Sequence, residues 1–186
     1  MKKFIGNISD KINCDEIINT ITKHNVNPSH GHMNLDPDNP FYSEYIEQTR
    51  ILQDAGYNEN TVEYRHYQSG IHFDKQIETV LSEVTGAEPL MCWISEIRPG
   101  KCTPWHWDIN PWEKEHEKLG ELVRYFCFLS KPKVGHVFMT ENECYYMEAQ
   151  GNVYQYNHIH DWHAGTNVGL ESKFLLTFTG YKSIAR

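Results

Sequence analysis

The run Trp105-His106-Trp107-Asp108 places an imidazole and a carboxylate two positions apart. On an extended backbone side chains alternate sides, so His106 and Asp108 leave one face and can reach one metal ion. A third ligand has to come from elsewhere, and the stretch NHIHDWH offers His158, His160 and His163. Two histidines and one carboxylate on one side of an ion leave its other positions open, the donor set that suits non-haem Fe(II) and oxygen chemistry. By spacing alone, each of the three histidines could complete it. A His and an Asp two apart also arise by chance and can simply hydrogen-bond, so the pair draws its weight from its surroundings.

Ten positions beyond His163, Lys173 opens the run KFLLTFTG. There Lys173, Leu175, Thr177 and Thr179 share one face of a strand, and Phe174, Leu176 and Phe178 share the other. Burying an ammonium without an acceptor costs several kcal/mol, so Lys173 either snorkels outward or meets an anion. Trp105, Trp107 and Trp112 surround the metal arm and are candidates for lining a substrate pocket and excluding water from it. For Trp105 and Trp107 packing against a sheet face is the stronger reading. The polar segment from Asn110 to Gly120 reads either as a mobile lid or as a solvated face. His116 and His136 have no partner pattern.

These groups need a scaffold, and from residue 88 onward the chain reads as short β-rich runs. The expected strands are Leu90 to Arg98, Trp105 to Asp108, Leu122 to Ser130, His136 to Thr140, Cys144 to Glu148, Val153 to Asn157, His163 to Val168 and Lys173 to Tyr181. Eight such strands suit a sandwich or barrel. The first 86 residues read mainly as helix. Asn13 caps a helix running to about His24. Asn39 and Pro40 open a second, with Phe41, Tyr45, Ile46 and Leu52 inward and Gly56 as its stop. A third runs from near Asp74 to Gly86. Thr61 to Tyr67 reads as a short strand. One domain over residues 1–186 is expected, with 1–86 as mainly helical support on the outside of a β-structure formed by 87–186.

The chain has 186 residues, 39% hydrophobic, 13% aromatic and 23% charged, which excludes the disordered and low-complexity classes. A net charge of −8 with no basic run argues against nucleic acid or an anionic membrane as partner. No apolar stretch approaches the ~20 residues of a membrane helix, and the N-terminus turns polar too soon for a secretory signal. A cytoplasmic location follows as an expectation. Five cysteines without a CxxC pair suggest neither a disulfide framework nor a thiolate zinc site, and most read as small core residues.

The runs ISEIRPGKCTPWHWD, LVRYFCFLS and GNVYQYNHIHDWHAGTNVGLESKFLLTFTGY resemble the Fe(II)- and 2-oxoglutarate-dependent oxygenases, and within them the aspartyl/asparaginyl β-hydroxylase-like branch. The resemblance covers about residues 88 to 181. It implies a double-stranded β-helix (a jelly-roll, cupin-like fold, mainly β in an α+β chain) in which His106, Asp108 and His163 hold iron. The HAGTN context selects His163 over His158 and His160. The resemblance further implies that Lys173 anchors the distal carboxylate of 2-oxoglutarate with help from Ser95, and that Arg124 approaches its other carboxylate. The sequence departs from the branch in carrying Lys173 where arginine is usual, Phe126 where a second polar contact often stands, and Asp108 where the aspartyl hydroxylase lacks a carboxylate ligand. Lysine presents a point charge and cannot form a planar bidentate pair. The implied activity is hydroxylation of a C–H bond in a peptide side chain, an amino acid or another small molecule, consuming O2 and releasing succinate and CO2. A non-oxidative cupin-type metal protein is the alternative, and it would need no Lys173.

Overall fold

In the computed structural model, residues 3–33, 37–38, 42–108 and 120–183 are described. Their order is β1 (Phe4–Asn7), α1 (Cys14–Ile21), α2 (Tyr42–Asp54), β2 (Arg65–Gln68), α3 (Gln76–Thr85), β3 (Glu88–Ile97), β4 (Lys101–His106), β5 (Glu121–Phe128), β6 (His136–Thr140), β7 (Glu143–Tyr146), β8 (Asn152–Gln155), β9 (His163–Asn167) and β10 (Lys173–Lys182). The strands form two antiparallel sheets, β1-β8-β5-β10-β3-β2 and β4-β9-β6-β7. From β3 onward the chain passes between the two sheets at nearly every step, the winding of a double-stranded β-helix.

Alternation along β10 explains why the sheets face each other. Phe174, Leu176 and Phe178 join Cys92, Ile94, Tyr125, Cys127 and Val153 on the outer face of the six-stranded sheet, where Ile21 of α1 and Ile77 and Leu81 of α3 cover them. Leu175, Phe126, Phe128 and Tyr154 point the other way and meet Phe138 and Tyr145 of the four-stranded sheet. Each face is apolar for a different reason: one takes helices, the other takes the second sheet.

The helices start and stop where local chemistry directs. Asn13 Oδ1 accepts from the Glu16 amide at 3.1 Å and caps α1, and Gly86 closes α3 at φ 69°, a left-handed conformation that glycine adopts without penalty. Several expectations need correction. The first 86 residues also supply β1 and β2, which form the two edges of the six-stranded sheet. The expected strand at Thr61 to Tyr67 is displaced to β2, because its pairing with β3 begins at Arg65↔Glu96. Leu52 is buried, whereas Ile46, expected inward, is 45% exposed. Phe41 and the helix start at Asn39 and Pro40 lie outside the described residues. β4 begins at Lys101 and ends at His106, so Asp108 follows the strand instead of belonging to it. β7 ends at Tyr146, since Met147 takes φ 58° and leaves the extended region. Among the described residues no helix is long and apolar enough to cross a membrane.

Candidate metal centre

β4 and β9 bring His106 and His163 directly opposite one another. The register that achieves this contains a bulge: Thr103 pairs with Gly165 and His106 with His163, so Pro104 and Trp105 stand against the single residue Ala164. Proline has no amide hydrogen for the ladder, which makes position 104 a natural place for the irregularity. The extra residue changes which way the following side chains point. Thr103 and His106, three apart, therefore both line the same cavity between the sheets.

Each imidazole is held by the backbone carbonyl two residues before it. His106 Nδ1 lies 2.6 Å from the Pro104 carbonyl, and His163 Nδ1 lies 2.9 Å from the Asp161 carbonyl. A carbonyl only accepts, so Nδ1 carries the hydrogen in both rings and Nε2 is the nitrogen each turns inward. The Nε2 atoms approach Asp108: 3.5 Å from His106 to Oδ1 and 3.4 Å from His163 to Oδ2. Ligand atoms of His106, Asp108 and His163 all lie within 4.8 Å of one another, the one such group among the described residues.

Electrostatics keep the donors in ligating form. Burial, reinforced by neighbouring His106, lowers the His163 pKa to about 4 against the opposing pull of Asp108, so its ring is neutral near pH 7. Burial works against ionisation of Asp108, but the Arg124 guanidinium beside it holds its carboxyl well below the usual range. Arg124 Nη2 pairs with Asp108 Oδ2, and its guanidinium lies over the rings of Trp93 and Tyr156 at 5.4 and 5.0 Å. Two imidazoles and an ionised carboxylate converging on one point suit a divalent ion.

Lys173 sits 1% exposed at the other end of this interior. Its strand and that of His163 belong to different sheets: β10 lies between β3 and β5, while β9 lies in the facing sheet. The ammonium instead reaches across the sandwich, donating to the Val137 carbonyl of β6 and resting 5.5 Å from the Phe138 ring. A Cβ placed on Gly165 of β9 would lie 3.2 Å from Nζ and 3.0 Å from Thr103 Oγ1. No carboxylate among the described residues pairs with Lys173, and burial lowers its pKa to about 7. Ser95, on β3, lines the cavity between Trp93 and Ile97.

Other expected residues fall elsewhere. Trp105 and Trp107 do not line the cavity; their rings pack against Trp162 at 6.4 and 4.7 Å. Trp112 and the segment read as a lid, Gly120 apart, lie outside the described residues. His158 and His160 stand in the loop before β9, 5.3 Å ring to ring, outside the group that could hold a metal. Sequence reasoning missed Tyr64, His66, Trp93, Thr103 and Phe138, all of which line the cavity. Tyr64 and His66 share a face at a spacing of two, but nothing in the sequence says that β2 pairs with β3 above the metal arm.

No protein-family model matches the chain, and no curated protein matches it. Among solved structures it is similar to a prolyl-4-hydroxylase of Pseudomonas putida, at 12% identity and a TM-score of 0.45, over 91% of this chain and 100% of that one. It is also similar to an oxidoreductase of the 2OG-Fe(II) oxygenase family from Burkholderia pseudomallei, at 11% identity and a TM-score of 0.42, over 94% of both chains. The cupin domain of Schizosaccharomyces pombe Cnp3 matches at 10% identity and a TM-score of 0.39, over 64% of this chain and 65% of that domain. These are likenesses of fold, and chemistry has to be argued from the site itself.

Proposed function

We propose that the chain is an Fe(II)- and 2-oxoglutarate-dependent dioxygenase that hydroxylates a C–H bond. The overall reaction is R–H + O2 + 2-oxoglutarate → R–OH + succinate + CO2, with R–H a peptide side chain, an amino acid or another small molecule. One observation carries this reading: a two-histidine, one-carboxylate donor set and a buried ammonium that no carboxylate among the described residues pairs lie between the same two sheets. A metal site alone would suit many chemistries. A cation buried nearby at the expense of stability calls for an anionic second ligand.

His106, Asp108 and His163 would hold the iron, which when bound supplies the redox chemistry that couples oxygen to the oxoacid. Lys173 takes the distal carboxylate, with the Ser95 hydroxyl on the same inner face of the six-stranded sheet. Arg124 orients Asp108 through Nη2 and offers an N–H to the carboxylate nearer the metal. Trp93, Phe138 and Tyr156 wall the cavity and keep bulk water from the reacting atoms. The protein's contribution is positioning and exclusion.

Succinate formation by the purified protein with Fe(II) and 2-oxoglutarate, before any substrate is known, is the test. Wild type should produce succinate slowly, and His106→Ala, Asp108→Ala and His163→Ala should each abolish it. Lys173→Ala should raise the 2-oxoglutarate requirement by about 10- to 150-fold, the loss of one hydrogen bond to a charged group, with little change in iron affinity. Iron binding without any succinate would favour a non-oxidative cupin-type protein, and a 2-oxoglutarate titration indistinguishable between wild type and Lys173→Ala would remove Lys173 from the site.

A further inference from the structure

The residues lining the metal cavity differ in exposure along its length. Among the described ones, His66 of β2 is the exposed member. Tyr64, Trp93 and Ser95 beside it are partly buried, whereas Phe138, Tyr156 and Leu175 deeper in are buried. The cavity therefore opens over the inner face of β2. Register fixes where the His66 side chain stands: it lies opposite Ser95, with its ring 4.6 Å from that of Tyr64 and 6.2 Å from that of Trp93. Trp93 in turn lies under the Arg124 guanidinium at 5.4 Å, and Arg124 pairs with Asp108, so a continuous run of contacts leads from the opening to the donor set. Neither nitrogen of the His66 ring has a hydrogen-bond partner among the described residues.

Size and charge narrow what can use this opening. The cavity measures about 60 Å³. At the ~10–15 Å³ that each water requires, it holds on the order of five waters, about the room the oxoacid itself needs. A second whole molecule does not fit beside it, so the substrate stays outside and inserts only the group that carries the reacting C–H. A free amino acid held in this way keeps few contacts, whereas a polypeptide makes the rest of its contacts on the surface around the opening. The opening presents three rings and a hydroxyl, and the two charged side chains of the lining, Asp108 and Arg124, pair with each other. An ionised side chain entering there would lose its hydration without gaining a counter-ion. We infer that the substrate is a polypeptide presenting an uncharged side chain through the opening over β2, and that His66 recognises it through a hydrogen bond to its ring. A neutral imidazole offers one donor and one acceptor for this purpose. The inference rests on the dioxygenase reading and narrows its substrate class.

The experiment uses the full-length, Fe(II)-loaded protein with 2-oxoglutarate and measures succinate in two arms. The first adds pools of decapeptides, each pool with one fixed central residue and the other positions randomised; the second adds the same residues as free amino acids. At least one pool with an uncharged centre should stimulate succinate formation and gain one oxygen by mass spectrometry, while pools centred on Asp, Glu, Lys or Arg and the free amino acids should not. Calorimetric titration of a stimulating peptide without oxygen reads its binding independently of turnover. His66→Ala should weaken that binding and raise the peptide KM by about two- to tenfold, the usual worth of one neutral hydrogen bond, with a smaller change in kcat. His66→Asn keeps a donor and an acceptor and should recover part of the loss. A merely structural role for His66 would lower iron content and kcat together, without recovery in His66→Asn, and would count against the assignment. Stimulation by free amino acids, stimulation led by a charged centre, or none by any pool while slow succinate formation persists, overturns the inference. Absence of succinate under every condition removes the dioxygenase reading and this one with it.

Discussion

His160 and His163 lie three residues apart in one loop-to-strand segment, and their different fates rest on orientation. His163 opens β9 opposite His106 with Nδ1 tied to Asp161, whereas His160 is turned toward His158. His163→Ala should lower iron affinity by more than about 100-fold, since removal of a ligand exceeds the ~10- to 100-fold cost of losing its supporting partner. His160→Ala should leave iron content unchanged; metal analysis of the two purified variants decides, and the reverse pattern would reassign the ligand. Lys173 allows a prediction of the opposite sign for stability. Its folded pKa of about 7 lies below the ~10.4 of an unfolded lysine, so the burial penalty is complete below pH 7 and fades as pH rises toward 10, where the unfolded chain binds the extra proton. Lys173→Met should therefore melt at a higher temperature than wild type, by the equivalent of a few kcal/mol near pH 6, with the gap closing by pH 10. The same variant should lose 2-oxoglutarate binding, and denaturation curves at several pH values check the first half of the claim. A gap that widens with pH would contradict it.

At the scale of elements, the site depends on how closely β9 approaches the six-stranded sheet. Gly165 has no side chain at the point where a Cβ would stand 2.9 Å from Ile97 Cδ1, 3.0 Å from Thr103 Oγ1 and 3.2 Å from Lys173 Nζ. Thr103 Oγ1 in turn accepts from the Gly165 amide at 2.9 Å, so the bulge and the glycine hold each other in place. Gly165→Ala should push the ammonium and Ile97 aside at a stability cost of about 1 to 3 kcal/mol, the usual range for overpacking. Its half-saturating 2-oxoglutarate concentration should rise several-fold, with a smaller change in iron affinity. Thermal denaturation and the succinate titration check both parts. An unchanged titration would show that the ammonium does not depend on this contact.

For the molecule as a whole, the N-terminal residues are part of the β-structure. β1 and β2 complete the edges of the six-stranded sheet, and α1 and α3 cover its outer face. Arg65, beside β3, lies 3.6 Å from Glu96, and Arg98 and Lys101 both pair with Glu63, tying the segment before β2 to the turn between β3 and β4. A chain starting at residue 87 would expose Cys92, Ile94, Phe174, Leu176 and Phe178 to water and lose His66 and Tyr64 from the cavity. It should be insoluble or lack a cooperative transition. A soluble, succinate-forming 87–186 fragment would show that the β-structure stands alone.

Much of this was legible without coordinates. The span of β6, the Asn13 cap, the Gly86 stop and the inward set of β10 depend on residues two to four positions apart, and periodicity reports such neighbours directly. That His106, Asp108 and a later histidine could share one site was likewise readable from spacing. Tertiary structure decided the remainder: which histidine stands opposite His106, that Lys173 crosses to the Val137 carbonyl of the facing sheet, that Arg124 stands on Asp108, and that β1 and β2 are sheet edges. Each of these depends on the register of strands far apart in the chain, and the bulge at Pro104 sets one such register. Moving a strand by one residue reverses every side chain on it, so local composition cannot specify what long-range pairing alone determines.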